Sequence, residues 1–134
     1  MKTQALCLAS QGFNVFPLVP MAKTPLITKW PELATTDPAQ IEIWWNKSPK
    51  ANIGIATGRY KNGALIVVDE DNKNGVSGAA TLLALEMKGA EFPKTLTACT
   101  PTGGRHYFYF AFNGVSSGAG KLGKGLDVKS SGGY

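Results

Sequence analysis

The chain has 134 residues, enough for one domain with a real core. Hydrophobic residues make up 43% of it, which excludes a disordered chain, and no apolar run approaches the ~20 residues of a membrane span. Lys and Arg number 14 against 9 Asp and Glu, a net charge of +5 that suits a polyanionic partner without demanding one.

The stretch after Lys2 contains Gln4, Ser10 and Gln11 and lacks the continuous apolar block of a signal peptide, so a cytoplasmic protein is expected. Cys7 and Cys99 lie far apart, match no C-x-x-C pattern and are expected to be buried, reduced thiols.

Residues 2–11 have an apolar spacing compatible with a short helix, ended by Gly12. "FNVFPLVP" reads as a strand closed by Pro20. "MAKTPLITKWPELATT", with Pro25 and Pro31, reads as loop and carries Lys23 near its start. "TDPAQIEIWWNKS" predicts a helix: Asp37 caps it, Pro38 fits its first turn and Gln40 completes a capping-box spacing. Ile41, Trp44 and Trp45 form its apolar face.

"NIGIATG" predicts a short strand ending in Gly58. "ALIVVDED" is the clearest strand, because Ile66, Val67 and Val68 are β-branched and both faces are apolar, as in a central strand. "VSGAATLLALEMKG" predicts a helix with Leu82, Leu83, Leu85 and Met87 apolar and Gly89 as its stop. Pro93 introduces "TLTACT", a short strand, and "PTGG" is a turn. "RHYFYFAF" is an aromatic-rich strand in which Phe108, Phe110 and Phe112 alternate as core residues do, which argues against their stacking on bases. "NGVSSGAGKLGKG" reads as flexible, and "GLDVKS" as a last strand. The order is mixed α and β with no repeat or internal boundary, so a single domain over 1–134 is expected.

Chemistry concentrates in three stretches. In "VVDED", strand alternation projects Asp69 and Asp71 to one face and Glu70 to the other. Two carboxylates converging at a strand end can hold Mg²⁺ or Mn²⁺, and the ion would relieve their repulsion; the same letters also compose a solvated turn. In "TPTGGRHYFYF", Gly103 and Gly104 let backbone N–H groups approach a phosphate, and His106, the chain's one histidine, can donate to a phosphate oxygen. An ordinary hairpin turn would carry the same residues. In "KGLDVKSSGGY", Asp127 and Lys129 share a face, as a metal ligand beside a phosphate-binding lysine or as an exposed ion pair. Together the three stretches supply what metal-assisted phosphoryl chemistry uses: carboxylates holding two ions ~3.5–4 Å apart and basic side chains for the phosphates.

The chain resembles the prim-pol domain, the bifunctional DNA primase/polymerase N-terminal family of the archaeo-eukaryotic primase superfamily. The resemblance runs from "ALCLASQGFNVFPLVPMAKTPL", similar to the family's opening helix, strand and K-x-P loop, through "WPELATTDPAQIEIWW" and "ANIGIATG". It then covers the family's three motifs as "VVDED", "TGGRH" and "GLDVKSSGGY". It implies an RRM-like catalytic half packed on a smaller α/β half, with the active site in the cleft between them. It implies Asp69, Asp71 and Asp127 as catalytic metal ligands for two Mg²⁺ or Mn²⁺ ions. His106, Lys129, Lys23 and the segment Gly103, Gly104 and Arg105 are implied nucleotide contacts. Glu70 departs from the family's usual apolar residue and receives no role.

Members usually continue past "GGY", so a domain truncated at its C-terminal end, from a longer replication protein with a helicase domain fused or associated, is expected. The implied activity is primer synthesis and extension on single-stranded DNA with (d)NTPs. The competing readings are a non-catalytic nucleic-acid-binding module of a replication helicase and a metal-dependent nuclease.

Overall fold

The structure is a computed structural model that describes residues 1–113 and 115–134. It is an α+β fold built on two antiparallel sheets. The smaller half comes first. Helix α1 (Lys2–Ser10) ends where Gly12, at φ 100°, donates its N–H to the Ala9 carbonyl. Strand β1 (Val15–Leu18) is buried along its whole length. Next come α2 (Trp30–Leu33) and α3 (Pro38–Lys47), and then β2 (Asn52–Ile55), which pairs with β1.

The Asp37 carboxylate caps α3 by accepting from the Ala39 N–H at 3.0 Å. The capping box does not form with Gln40: the Asp37 N–H is taken by the Thr35 hydroxyl at 3.0 Å. Ile41 and Trp45 are buried, Trp44 is half-buried, and the Trp45 indole donates to the Ala51 carbonyl at 3.1 Å. The expected loop over 21–36 contains α2, because Pro31 sits in a first turn, where its missing N–H has no intrahelical partner to lose.

The larger half is one sheet in the order β5-β6-β4-β8-β7, with the unforeseen short strand β3 (Gly58–Tyr60) beside the start of β4 (Gly63–Glu70). Helix α4 (Gly78–Met87) is followed by β5 (Leu96–Cys99), β6 (Arg105–Ala111), β7 (Gly118–Gly123) and β8 (Leu126–Lys129). The predicted central strand is β4, flanked by β6 and β8. One hydrophobic cluster joins the halves: Ala5 and Ala9 of α1, Phe13, Val15 of β1, Ile41 and Trp45 of α3, Ala51, and Leu65 and Val67 of β4. By alternation Asp69 shares the face of Leu65 and Val67, so it looks toward the smaller half.

Four further expectations are corrected. The glycine-rich segment contains β7, since pairing with β8 overrides its low strand propensity, and Gly120 and Gly123 take positive φ at the irregular register; Gly114 lies outside the described residues. Helix α4 is capped by Ser77 and turns only Leu82 and Leu85 partly inward, leaving Leu83 and Met87 exposed. Phe110 and Phe112 are exposed, because the smaller half covers β6 only as far as Phe108. Both cysteines are free thiols at the surface. Among the described residues no helix is long and apolar enough to cross a membrane.

Gly54 lies opposite Phe16 in the β1–β2 pair, and a Cβ there would meet the buried Phe16 ring, which stacks on Trp30 at 4.7 Å. Gly54→Ala is expected to cost about 1–3 kcal/mol in urea unfolding. Phe16→Leu in the same chain should recover part of the loss, and additive costs would show that the ring does not press on Gly54.

Candidate functional site

The register of the large sheet brings three distant residues into one row. Asp69 on β4 lies opposite His106 on β6 and opposite Asp127 on β8. Cross-strand neighbours have Cβ atoms only ~4.5–5.5 Å apart, so two carboxylates so placed repel unless their charge is met. Here it is met locally. His106 Nε2 lies 3.2 Å from Asp69 Oδ1, Lys129 Nζ lies 3.3 Å from Asp127 Oδ2, and the Gly120 N–H donates to Asp127 Oδ1 at 2.7 Å. The hydrogen bond from His106 holds the Asp69 carboxyl below the usual carboxylate range; burial opposes this, and the positive charges of His106, Lys129 and Lys23 assist it.

Asp71 stands just past the end of β4. Its N–H donates to the Gly125 carbonyl, its carbonyl accepts from Gly78, and its carboxylate pairs with Lys73 at 2.9 Å. Each of the three acids thus carries one basic partner. Among the described residues no group of three or more His, Cys, Asp or Glu stands assembled to hold an ion: Asp69 and Asp127 adjoin, while Asp71 is turned to Lys73.

Lys23 reaches the site's electrostatic range because its loop is pinned. The Tyr134 hydroxyl donates to the Lys23 carbonyl at 2.7 Å, and the Tyr134 ring packs edge-on against Phe16 at 5.3 Å and Trp30 at 4.7 Å. The Thr57 N–H donates to the Gly133 carbonyl. The segment after β8 therefore ties the strand bearing Asp127 and Lys129 to the loop bearing Lys23.

Gly103, Gly104 and Arg105 do not join this row. Inside the turn the Gly103 N–H donates to the Thr100 carbonyl and the Gly104 N–H to the Thr100 hydroxyl, so both are taken up within the turn. A Cβ on Gly104 would collide with the Glu70 carbonyl oxygen; glycine is there so that the turn can lie against β4. Arg105 opposes Glu70, one residue out of step with His106, and so lies on the far face, where the Tyr107 hydroxyl and then the Glu70 charge raise its pKa.

That far face holds residues to which the sequence assigns no role. Glu70 is only 1% exposed, and its carboxylate accepts from the Tyr107 hydroxyl at 2.5 Å and from the Asn72 amide at 2.6 Å. Asn72 also donates to the Gly103 carbonyl at 3.2 Å and accepts from the Ala79 N–H at 3.1 Å. It thereby joins the end of β4, the glycine turn before His106 and the start of α4. Burial first, and then the bond to Glu70, push the Tyr107 hydroxyl up in pKa. A signal for this face is present in "RHYFYF", where tyrosines alternate with phenylalanines and so mark a face with polar handles. Tyr107→Phe keeps the ring and removes the donor, and should lower the unfolding free energy by about 1–3 kcal/mol in urea. An unchanged midpoint would mean that water replaces the hydroxyl.

A comparison with curated proteins finds no match. The family model described as bifunctional DNA primase/polymerase, N-terminal, matches residues 5–134, from α1 through the segment that anchors the Lys23 loop. At the family level this carries a DNA primase/polymerase function of the nucleotidyltransferase type. Since the match takes in both halves and every strand that meets at Asp69, the chain belongs to the prim-pol family.

Proposed function

We propose that the chain is a template-dependent nucleotidyltransferase that makes or extends primers on single-stranded DNA from (d)NTPs, with the row His106–Asp69–Asp127 as its reacting centre. The observation that carries this reading is the cross-strand pairing of Asp69 with Asp127, two carboxylates set side by side on the face turned toward the smaller half. A fold gains nothing from opposing like charges there; a divalent cation gives the pair a use.

The donor set fits Mg²⁺ or Mn²⁺, which take hard carboxylate oxygens. Asp69 and Asp127 would hold the ions, and Asp71 would join them by turning from Lys73, its half-exposed partner. Bound ions would lower the pKa of the attacking 3′-hydroxyl and neutralise the pyrophosphate leaving group. The chain's own basic groups then change partners. His106 and Lys129, which meet the carboxylates in their absence, are left to donate to triphosphate oxygens, with Lys23 approaching from the pinned loop. The carboxylates keep these basic groups from holding phosphate without metal, and the basic groups keep the carboxylates tolerable without substrate. A single-stranded template held largely through phosphates would bind in a salt-sensitive way. A helicase domain, fused or associated, would supply it.

Primer extension with Mn²⁺ and dNTPs tests the reading. Asp69→Ala and Asp127→Ala should each lose more than about a hundredfold in rate. His106→Ala should raise the apparent KM for dNTP about tenfold, with a smaller effect on kcat. Full synthesis by both aspartate variants would overturn the mechanism. Cleavage of the template without incorporation would assign the same acids to a nuclease.

A further inference from the structure

We propose that the exposed aromatic end of the large sheet, formed by Phe110 and Phe112 on the half-buried Tyr60 and beside Lys61, is a stacking surface for single-stranded DNA, apart from the Asp69–Asp127 pair. The proposal rests on the polymerase reading only for the source of that strand.

The surface begins where the core stops. Phe108 and Phe110 lie on one side of β6, Phe112 follows just past its end, and Phe108 packs edge-on against Phe13 at 6.2 Å inside the core. Beyond it the rings run outward in series. Tyr60 and Phe110 have centroids 5.8 Å apart at 65°, and Phe110 and Phe112 have centroids 5.7 Å apart at 72°. Phe110 is 47% exposed and Phe112 84%. Gly63 belongs to the same construction, because a Cβ on it would strike the Phe110 ring; its hydrogen lets the ring lie across the first residue of β4. Two neighbouring phenylalanines left in water at a sheet end are costly unless a partner covers them.

Charge selects the partner. Lys61 Nζ stands 5.1 Å from the Tyr60 ring centroid, and Arg59 is exposed one residue before it. The chain has no carboxylate from Ile43 through Val68 or from Phe92 through Leu126, the segments that supply this end of the sheet. Flat apolar rings beside Lys61, on segments that carry no acid, match an anionic strand with exposed bases. The edge-to-face series leaves a face of Phe112 open for stacking. From His106 to Ala111 the strand advances ~17 Å, so DNA held at its end lies outside the reacting centre and would steady the template beyond it.

Fluorescence anisotropy of a fluorescein-labelled oligothymidylate binding to the whole chain tests this. Phe112→Ala should weaken binding about tenfold, and Phe112→Trp should keep it. Lys61→Ala should reduce the salt dependence of log Kd by about one ion. Both residues are exposed, so thermal unfolding should stay at the parent midpoint. Asp69→Ala should bind the oligonucleotide as the parent does, which separates this surface from the fate of the catalytic reading. Parent-like binding by Phe112→Ala and Phe110→Ala overturns the proposal. So does a parent protein that does not bind the oligonucleotide, or a Phe112→Ala variant that changes only self-association in sedimentation.

Discussion

Asp69 and Asp127 face each other across β4 and β8, and the arrangement around them is the answer to that repulsion. Each carboxylate is half-buried, so water alone does not screen it. The sheet meets the charge on both sides: His106 comes from β6, Lys129 from two residues along β8, and the Gly120 N–H from β7. β7 pairs irregularly and runs through left-handed glycines, and one of its N–H groups turns to a carboxylate. The irregularity is thereby part of the site.

A second constraint is alternation. Neighbouring acids on β4 have opposite surroundings. Asp69 shares a face with the proposed reacting row, whereas Glu70 is buried among Tyr107 and Asn72 on the other. Because Asn72 also bonds to the glycine turn and to the start of α4, the far face braces the loops on either side of the near one. Gly104 serves the same brace by letting the turn lie against the Glu70 backbone. The near face is bounded in turn by the smaller half, whose core is continuous with Leu65 and Val67 and ends at Phe108. What projects past that limit is the aromatic end with its lysine.

Much of this was legible in the chain. Ile66, Val67 and Val68 announced the central strand, Asp37 and Pro38 the start of α3, and the spacing of "VVDED", "TGGRH" and "GLDVKSSGGY" the family. Alternation also sent Asp69 and Glu70 to different faces, as the structure has them. These features are local: a strand's period, a helix cap and a motif are properties of neighbouring residues, and tertiary packing had no reason to override them.

The rest depended on which strand lies beside which. Strand order decided that Asp69 meets His106 and Asp127, and that Arg105 falls one residue out of step onto the far face. The extent of the smaller half decided that Phe108 is core and Phe110 and Phe112 are not, although all three share one period. Pairing with β8 made a strand of a glycine-rich segment, and the closure of the Thr100 turn on itself gave the glycine N–H groups partners within the turn. The sequence determined the central strand, the start of α3, the opposite faces of Asp69 and Glu70, and the family. Only the tertiary structure decided the neighbours, because a side chain's exposure and charge partners are set by chain segments far from it in sequence.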